Sequence, residues 1–531
     1  MDKKLSISII SGIFFFIPLI SYAQNLYLPD FGESVRRFAA SGSNNPAFLT
    51  EYPLPRVSYL QASASKGSGD FINYNQSDDV RTMGITTESY YRFSDRIMLY
   101  GRMSYGLDKG SKMSGSAFIP GYDLPFDLVE TVDTCAGDKE LEAYTLGGAI
   151  GYRLNNSISL GARVYYQAAN YAKFKDLRHQ NNQAELKVSA GGSYSISPLL
   201  TLGLSYTYHR RNQSVEFGIY GNTDRQYTTL IDFGGFFGRN EIFSESGYTA
   251  DSTPLFTESH GGALQLLLKP GNNVTWFNDI TCSAGDGQFG TGDDRDVTFS
   301  THKIKNMGYS GKMVCAAHND SHVVELSLNS RTTENFENNY KESTDKDGVS
   351  QIIYYGKNQV LDRKAYDASA AYTFFKGADA VRSRYSAGGR FSYSYMESTT
   401  SLYPFYRRQD ISTWRADIYG RYSWFVKKQV FSLSVLLGYG AGGGTMKDDG
   451  IYADVTDEQS IPDRRDDLLE QNFDYLTAQR ISGSLAFGYE RNILKNISAY
   501  AVAGVSPRYA LDSSFKKDHY LQFDMQIGVK F

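Results

Sequence analysis

The sequence has few cysteines, few histidines and no long apolar run beyond its N-terminus. Three cysteines among 531 residues (Cys135, Cys282 and Cys315) are an odd number, which excludes a complete disulfide framework. Seven histidines, without a Gly-x-Ser-x-Gly motif or a phosphate-binding glycine loop, give no catalytic constellation, and we expect no enzyme. No run of eighteen apolar residues follows Gln24, which excludes a later membrane-spanning helix. The net charge of −4 argues against a nucleic-acid partner.

The N-terminus is typical of a secretory signal peptide. It begins with the basic residues Lys3 and Lys4, continues with the apolar segment 5–20 and ends in the small-x-small sequence Ser21-Tyr22-Ala23. We therefore predict that residues 1–23 are a signal peptide that directs the chain out of the cytoplasm.

The C-terminus alternates between apolar and polar side chains. A period of two is the pitch of a β-strand, and about ten residues at this pitch, tilted, span the hydrocarbon layer of a bilayer. A terminal Phe that closes such a strand resembles the C-terminal strand of Gram-negative outer-membrane β-barrels, the segment that the barrel-assembly machinery reads. The apolar residues that we assign to this insertion signal are Leu521, Phe523, Met525, Ile527, Val529 and Phe531.

The rest of the chain repeats this pattern between turn-forming residues. Short turns such as Asn155-Asn156-Ser157 alternate with long polar connections such as 108–140 and 332–364. The content of Tyr (41), Phe (32) and Gly (50) suits the girdles and strands of a membrane barrel. We predict an all-β fold: a transmembrane antiparallel β-barrel of about 18 strands (range roughly 14–18) with short periplasmic turns and long extracellular loops. A large soluble all-β protein is the alternative, but it would need polar outer faces on most strands.

Charged residues fall on the strand face opposite the aromatic and aliphatic one. Each Arg or Lys on the lipid face would cost roughly 2–4 kcal/mol at mid-depth, so these side chains are predicted to point into the lumen. The lumen-facing candidates are Glu88, Arg92, Arg102, Arg153, Arg163, Lys187, Arg390, Arg415, Asp417, Arg421, Arg480 and Asp524. Such a lumen is either a water-filled pore or a closed network of ion pairs, and the sequence does not separate the two.

The segment between the signal peptide and the first strand has two interpretations. Residues 31–40 could form a short amphipathic helix, and Asn45-Pro46-Ala47 follows soon after it. This Asn-Pro-Ala sequence resembles the N-terminal hatch of the FadL-type fatty-acid channels, a resemblance that implies a segment folded into the lumen. The alternative is a plain periplasmic lead-in. We therefore divide the chain into the signal peptide, an N-terminal periplasmic or lumenal segment (24–52) and an outer-membrane β-barrel (53–531).

Three further sites are weaker candidates. The glycine- and aspartate-rich loop 286–296 offers oxygen ligands of the kind that Ca²⁺ takes, although it lacks the EF-hand spacing, and we expect no other cofactor. His318 and His322 flank a turn and are a candidate metal pair. The aromatic and basic segment 402–408 is a candidate surface for a sugar or for lipopolysaccharide, or an ordinary aromatic girdle. His209 has no evident partner in the sequence.

Taken together, these patterns resemble those of uncharacterised Gram-negative outer-membrane β-barrel families. We favour a channel or transporter for a small solute, located in the outer membrane of a Gram-negative bacterium. The alternative is a non-conducting structural barrel that docks a secretion or surface-glycan complex. Expected partners are outer-membrane lipid, lipopolysaccharide and the barrel-assembly machinery, and neighbouring outer-membrane or periplasmic proteins remain open as partners.

Overall fold

The strands follow from the alternation in the sequence, and they close on themselves. The computed structural model describes residues 27–531 apart from 121–122, 131–134, 222–223, 245–246, 251–252, 292–295, 318, 345–349, 378–381, 458 and 512–517. The predicted signal peptide, residues 1–23, lies outside the described residues. In chain order the strands are β1 (Arg56–Gly69), β2 (Asp79–Arg92), β3 (Ile97–Met113), β4 (Asp127–Glu130), β5 (Gly137–Arg153), β6 (Ile158–Lys173), β7 (Arg178–Ser197), β8 (Leu200–Gly218), β9 (Thr228–Asp232), β10 (Phe237–Ile242), β11 (Thr253–Gly271), β12 (Val274–Phe289), β13 (Ser300–Ala317), β14 (Asp320–Thr344), β15 (Ser350–Gly377), β16 (Ser383–Leu402), β17 (Phe405–Val426), β18 (Gln429–Ile451), β19 (Asp463–Arg464), β20 (Arg480–Leu494), β21 (Ile497–Ala510) and β22 (His519–Lys530).

Eighteen of these strands form one closed antiparallel barrel, as the sequence predicts. Each strand pairs with the next along the chain, and β22 closes the cylinder by pairing with β1, where Ala62 lies opposite Ile527 and Ser65 opposite Asp524. Closure gives each barrel strand a neighbour on both sides, so its backbone groups are paired within the wall, except where the ends of β14 and β15 extend beyond β13 and β16.

Side chains alternate between the two faces of the wall. In β22, Phe523, Met525 and Ile527 are 56%, 57% and 51% exposed and form part of the outer apolar surface. Gln522 and Asp524 lie on the other face, where the Gln522 amide donates a hydrogen bond of 2.7 Å to the Asp524 carboxylate. The outer face therefore suits lipid, and the inner face is polar.

Several strands are longer than a bilayer requires, which corrects one detail of the predicted loops. Residues 332–344 and 350–364, predicted as a loop, continue β14 and β15, which reach 25 and 28 residues. The contrast between an apolar and a polar face disappears in these extensions, where both faces of β14 carry polar side chains, while the ladder of backbone hydrogen bonds continues. Pattern reading therefore ended these strands too early.

The remaining elements lie off the barrel wall. They are helix α1 (Phe31–Arg36), a 3₁₀-helix (Pro46–Glu51), helix α2 (Asp466–Thr477) and a second sheet with the strand order β19-β10-β9-β4. Helix α1 is shorter than the segment 31–40 that the sequence suggested. Among the described residues, no helix is long and apolar enough to cross a membrane.

The facing of β22 yields a direct test. We expect Phe523→Lys to prevent accumulation of the barrel in the outer membrane, because a lipid-facing charge costs about 2–4 kcal/mol near mid-depth. Gln522→Lys, one position away on the inner face, is the matched control and should accumulate normally. Heat-modifiable mobility of the membrane-extracted protein measures both, and equal accumulation of the two variants would contradict the facing.

Candidate functional site

The N-terminal segment lies against the inner wall. Residues 27–52, which we call the N-terminal plug, contain α1 and the 3₁₀-helix. In the half of the barrel nearer the short turns, Phe38, Phe48 and Tyr52 of the plug form a buried apolar cluster with inward-facing wall residues that include Phe277 and Phe375. Phe48 meets the ring of Phe277 edge-on at 5.0 Å. This segment is thus packed as part of the interior.

Asn45 fixes the plug to the wall. Its side-chain oxygen accepts a hydrogen bond of 3.0 Å from the Ala47 amide, which caps the 3₁₀-helix. Its side-chain nitrogen donates to the carbonyls of Gly192 (2.8 Å) and Leu204 (3.2 Å) and to the Gln265 amide oxygen (2.9 Å). One side chain therefore joins the plug to three neighbouring strands, β7, β8 and β11.

Glycines in the wall make room for this contact. A Cβ atom built on Gly161 would overlap the backbone of Pro46 and Ala47, and one on Gly191 would overlap the Asn45 side chain. A Cβ on Gly203 would lie 2.5 Å from the ring of Phe48. These positions hold glycine because the plug backbone approaches the strand backbone directly.

Four of the predicted lumenal arginines contact the plug. Arg92, Arg153 and Arg163 donate to plug carbonyl oxygens, those of Tyr52, Thr50 (3.0 Å) and Ser43 (3.0 Å) respectively. Arg421 lies 3.5 Å from the Asp30 carboxylate, beside the N-terminus of α1. Carbonyl groups left without helix or strand partners are thereby satisfied by cations of the wall.

The closing strand also holds the plug. Lys530 of β22 lies 3.0 Å from the Asp30 carboxylate and 2.9 Å from the Glu490 carboxylate, and Glu490 is also paired with Arg382 at 2.5 Å. These charges are mostly buried, and each has an opposite charge beside it, as burial requires. Barrel closure and plug docking are therefore linked through one lysine.

A second body fills the opposite half of the lumen. We use the name loop plug for the second sheet, α2 and the described parts of 114–136, 219–252 and 452–479 that carry them. Its aromatic residues, such as Phe126 and Phe233, share a buried cluster with inward-facing wall residues such as Phe289. The long connections that the sequence predicted as polar loops thus carry their own apolar core.

Buried ion pairs attach the loop plug to the wall. Glu130 of β4 accepts from Lys173 and lies 3.3 Å from Lys139, and all three side chains are almost fully buried. Arg407 of β17 pairs with Asp449 at 2.7 Å and Asp466 at 2.9 Å. Arg407 belongs to the segment 402–408 that we considered as a sugar-binding surface, yet its side chain is buried on the inner face.

Two carboxylates lie next to each other inside the loop plug. Asp127 of β4 and Asp232 of β9 are direct partners in the sheet. Burial raises the pKa of Asp127 to about 7, and the charge of Asp232 adds to the shift, although hydrogen bonds from the Ser116 hydroxyl and the Leu128 amide oppose it. Burial likewise raises the pKa of Asp232 to about 6, against hydrogen bonds from backbone amides.

Between the two plugs lies a charged cavity of about 290 Å³. We call it the mid-lumen cavity; it is lined by Asp123, Glu185, Lys187, His209, Arg211, Thr257, Ser259, Ile304, Asn306 and Arg331. Asp123 comes from the loop plug and the other residues from inward-facing positions of the wall. On β11, Ser259 lies six positions from Gln265, which binds Asn45, a distance of about 20 Å along the strand. The lumen therefore contains two plugs with a polar space between them.

The sequence comparisons give a family. The model of a family of unknown function (DUF6850) matches residues 46–531. The chain belongs to this family. No curated protein matches the DUF6850 chain.

Solved structures similar to the DUF6850 chain are distant. BauA, the ferric preacinetobactin receptor from Acinetobacter baumannii, is 9% identical with a TM-score of 0.39, over 89% of this chain and 80% of that chain. The outer membrane transporter YddB from Escherichia coli is 7% identical with a TM-score of 0.37, over 89% and 81% of the chains. The toluene transporter TodX of Pseudomonas putida is 11% identical with a TM-score of 0.29, over 95% and 98%. The architecture described above rests on the strand pairing of the DUF6850 chain itself.

The other predicted lumenal residues lie beside wall residues, and Arg480 contacts the loop plug. Their pairing register places all of them on the same face as the residues that touch the plugs. Arg415 binds Asp417 at 2.7 Å. Glu88 accepts from the Tyr59 and Tyr100 hydroxyls, and Lys187 lies 2.8 Å from Glu185. Arg480 donates to the Leu476 carbonyl of the loop plug. In the strand register, Arg102 lies opposite Glu88 and Arg390 lies opposite Asp417.

Sequence reasoning missed several residues of the mid-lumen cavity. Glu185 is the partner of His209, at 2.9 Å, and supplies the contact that the sequence did not reveal. Arg331 directly precedes the predicted loop 332–364 and shares one face of β14 with Thr333 and Asn335, which the sequence interpretation had placed in that loop. Asp123 carries no signal of its own, because a loop fold brings it to the wall.

The weaker candidate sites remain predictions. Residues 292–295 of the candidate Ca²⁺ loop 286–296 lie outside the described residues. His318 of the candidate metal pair lies outside them too. His322 contacts the Tyr372 hydroxyl at 2.8 Å. Across the part of the chain that the structure describes, no group of three or more His, Cys, Asp or Glu side chains is arranged to hold a metal.

The glycine contact predicts how the plug can be loosened. Gly161→Ala should displace the 3₁₀-helix from β6, because its Cβ overlaps the plug backbone, and should raise the hydrogen-exchange rates of the amides in 46–52 at least tenfold. Gly148→Ala is the matched control, since a Cβ at Gly148 meets nothing within 4 Å. Unchanged exchange in Gly161→Ala, with both barrels folded, would contradict the docking.

The carboxylate pair predicts a pH dependence for the loop plug. The folded-state pKa values of Asp127 and Asp232 lie above the ordinary value near 4, so the folded loop plug binds protons that the unfolded chain has released. The stability that this proton binding contributes is fully present below about pH 4 and is lost as pH rises through 6–7. The free energy of local opening at Leu230 and Ile231, from hydrogen exchange corrected for intrinsic rates, should fall between pH 5 and pH 8. Asp127→Asn should flatten this dependence and Asp454→Asn, at an exposed position, should not; a flat wild-type profile would contradict the account.

Proposed function

We propose that this protein is an outer-membrane barrel that passes a small polar solute through its lumen in a Gram-negative bacterium. The observation that carries the proposal is the mid-lumen cavity: a polar space inside the wall, separated from each end by a plug that the barrel wall does not itself form. A barrel that served only as a scaffold would gain nothing from charged side chains around a central space. The role we propose is transport and not catalysis.

The orientation follows from the asymmetry of the barrel. Short turns and both ends of the barrel sequence lie at one rim, and the long connections lie at the other. We assign the short-turn rim to the periplasm and the loop plug to the outside of the cell. The solute then meets the loop plug first, the mid-lumen cavity second and the N-terminal plug last. Outer-membrane lipid and lipopolysaccharide surround the wall, and the barrel-assembly machinery inserts it.

The N-terminal plug is the part that we propose moves. Its hydrogen bonds to the wall are individually weak: a typical one contributes about 0.5–1.5 kcal/mol net, because water replaces it when it breaks. Water can replace the hydrogen bonds that wall arginines donate to the plug carbonyls, whereas the apolar contacts with Phe277 and Phe375 must separate when the plug shifts. In this proposal the signal peptide (1–23) directs export, the segment 24–52 acts as a gate, and the barrel (53–531) forms the pore.

The scaffold alternative is favoured by one observation. Ion pairs hold both plugs, and those of Glu130 in the loop plug and Asp30 in the N-terminal plug are mostly buried, where the removal of one partner costs several kcal/mol. A permanently filled barrel that docks other proteins would have the same contacts. The two functions differ in whether the N-terminal plug shifts.

A reversible disulfide between the N-terminal plug and the wall distinguishes the transport function from the scaffold function. The Thr50 and Ser159 hydroxyl oxygens are 3.2 Å apart, so Thr50→Cys/Ser159→Cys in a background with the native cysteines replaced by Ser can form a reversible lock. We expect stable low-voltage openings in planar bilayers in the reduced state and at least a tenfold lower open probability in the oxidised state. Ser195→Cys/Thr201→Cys, whose native hydroxyls lie 2.9 Å apart within the wall, is the matched control and should conduct equally in both states.

Two results would contradict the proposal. A correctly folded, reduced protein that stays electrically silent would favour the scaffold. Equal conductance of the locked and reduced plug would show that the solute path does not require plug movement.

A further inference from the structure

We propose that the mid-lumen cavity is a binding site for a small organic anion that carries a carboxylate or phosphate group together with hydroxyls. The inference deepens the proposed function, because it names the chemical class of the transported solute. It rests on the charge, the hydrogen-bonding groups and the position of the cavity.

The cavity has a surplus of positive charge. Its lining contains three basic side chains, Lys187, Arg211 and Arg331, and two carboxylates, Glu185 and Asp123. Both carboxylates already have cationic partners: Glu185 lies 2.8 Å from Lys187, and Asp123 is bound by Arg363, a fourth basic residue just beyond the lining. Four cations against two anions leave a net charge of about +2 in a confined space, which favours an anion.

Arg331 supplies the geometry for binding a planar or tetrahedral anion. Its Nε donates to the Asn306 side-chain oxygen at 2.8 Å, which holds the guanidinium plane in place. Its Nη1 lies 3.5 Å from Asp123, longer than a hydrogen bond, and the side chain is 39% exposed to the lumen. A guanidinium that is fixed at one edge and makes only a long ion pair at the other is suited to a carboxylate or phosphate that displaces that ion pair.

The rest of the lining fits a hydroxylated solute. Ser259 on β11 and the second N–H of the Asn306 amide, whose other contacts are Ser283 and Arg331, supply hydrogen-bonding groups for hydroxyls. The Thr257 hydroxyl is bonded to His302, and Ile304 is the aliphatic exception. The volume of 290 Å³ holds one compact solute and not a polymer or a long acyl chain. A sugar acid or a sugar phosphate combines the required size, charge and hydroxyl content.

Position also supports a transport intermediate. The cavity lies between the two plugs, and Asp123 of the loop plug is held by wall residues Arg331 and Arg363. An anion that binds Arg331 competes with Asp123 for the same cation, so its arrival weakens one attachment of the loop plug. The site therefore couples solute recognition to the attachment of the loop plug.

Calorimetric titration of the full-length protein in detergent at low ionic strength tests the site. The probes are glucose 6-phosphate and glucuronate, with glucose as the neutral control. We expect both anions to bind at least tenfold more tightly than glucose. Arg331→Gln and Lys187→Gln should each weaken anion binding at least tenfold, and Arg331→Lys should retain part of it. Lys66→Gln, at an exposed position, should leave binding unchanged.

The outcomes separate this inference from the proposed function. A folded protein that binds the anions no better than glucose, or an Arg331→Gln variant with wild-type affinity, overturns the anion site, even where the reduced barrel conducts. Anion binding by a barrel that never conducts upholds the site and contradicts transport. Heat-modifiable mobility confirms that each variant is folded, so weakened binding cannot be due to misfolding.

Discussion

A barrel of eighteen strands is wider than its own side chains can fill, and the rest of the structure depends on this fact. Pairing of every backbone group in the wall requires closure, and closure at this strand number leaves a lumen that must hold water or additional chain. Here both ends receive additional chain. The N-terminal plug and the loop plug contain backbone groups without helix or strand partners. Inward-facing arginines and lysines of the wall bind the plugs, and Asn45 of the N-terminal plug binds the wall.

The wall was readable from the sequence because lipid imposes a simple rule. Phe523 and Met525 face outward and Asp524 inward, and this period of two is visible without any structure. The rule fails where lipid ends, as in the extensions of β14 and β15, since water on the outer face tolerates either kind of side chain. Strand number therefore followed from the sequence, and strand length did not.

The interior was predictable only in part. A lumenal position for Arg163 follows from the cost of placing it in lipid, but its partner, the Ser43 carbonyl, is 120 positions away along the chain and has no local signal. Gly161 read as an ordinary small residue of a strand, although plug backbone lies directly against it. Asn45-Pro46-Ala47 was the one local hint of the plug. Long-range contacts of this kind depend on the closed wall, which brings distant strands around one segment.

Residues 45–51 lie inside the closed barrel, against β6, β7 and β8, with a polar cavity beyond them. An experimental density map of the full-length protein in lipid tests this most directly. We expect density for the Asn45 side chain between the Gly192 and Leu204 carbonyls, and a solvent-filled space bordered by Glu185 and Arg331. Density for residues 45–51 outside the barrel, or a central space packed with chain, would contradict it.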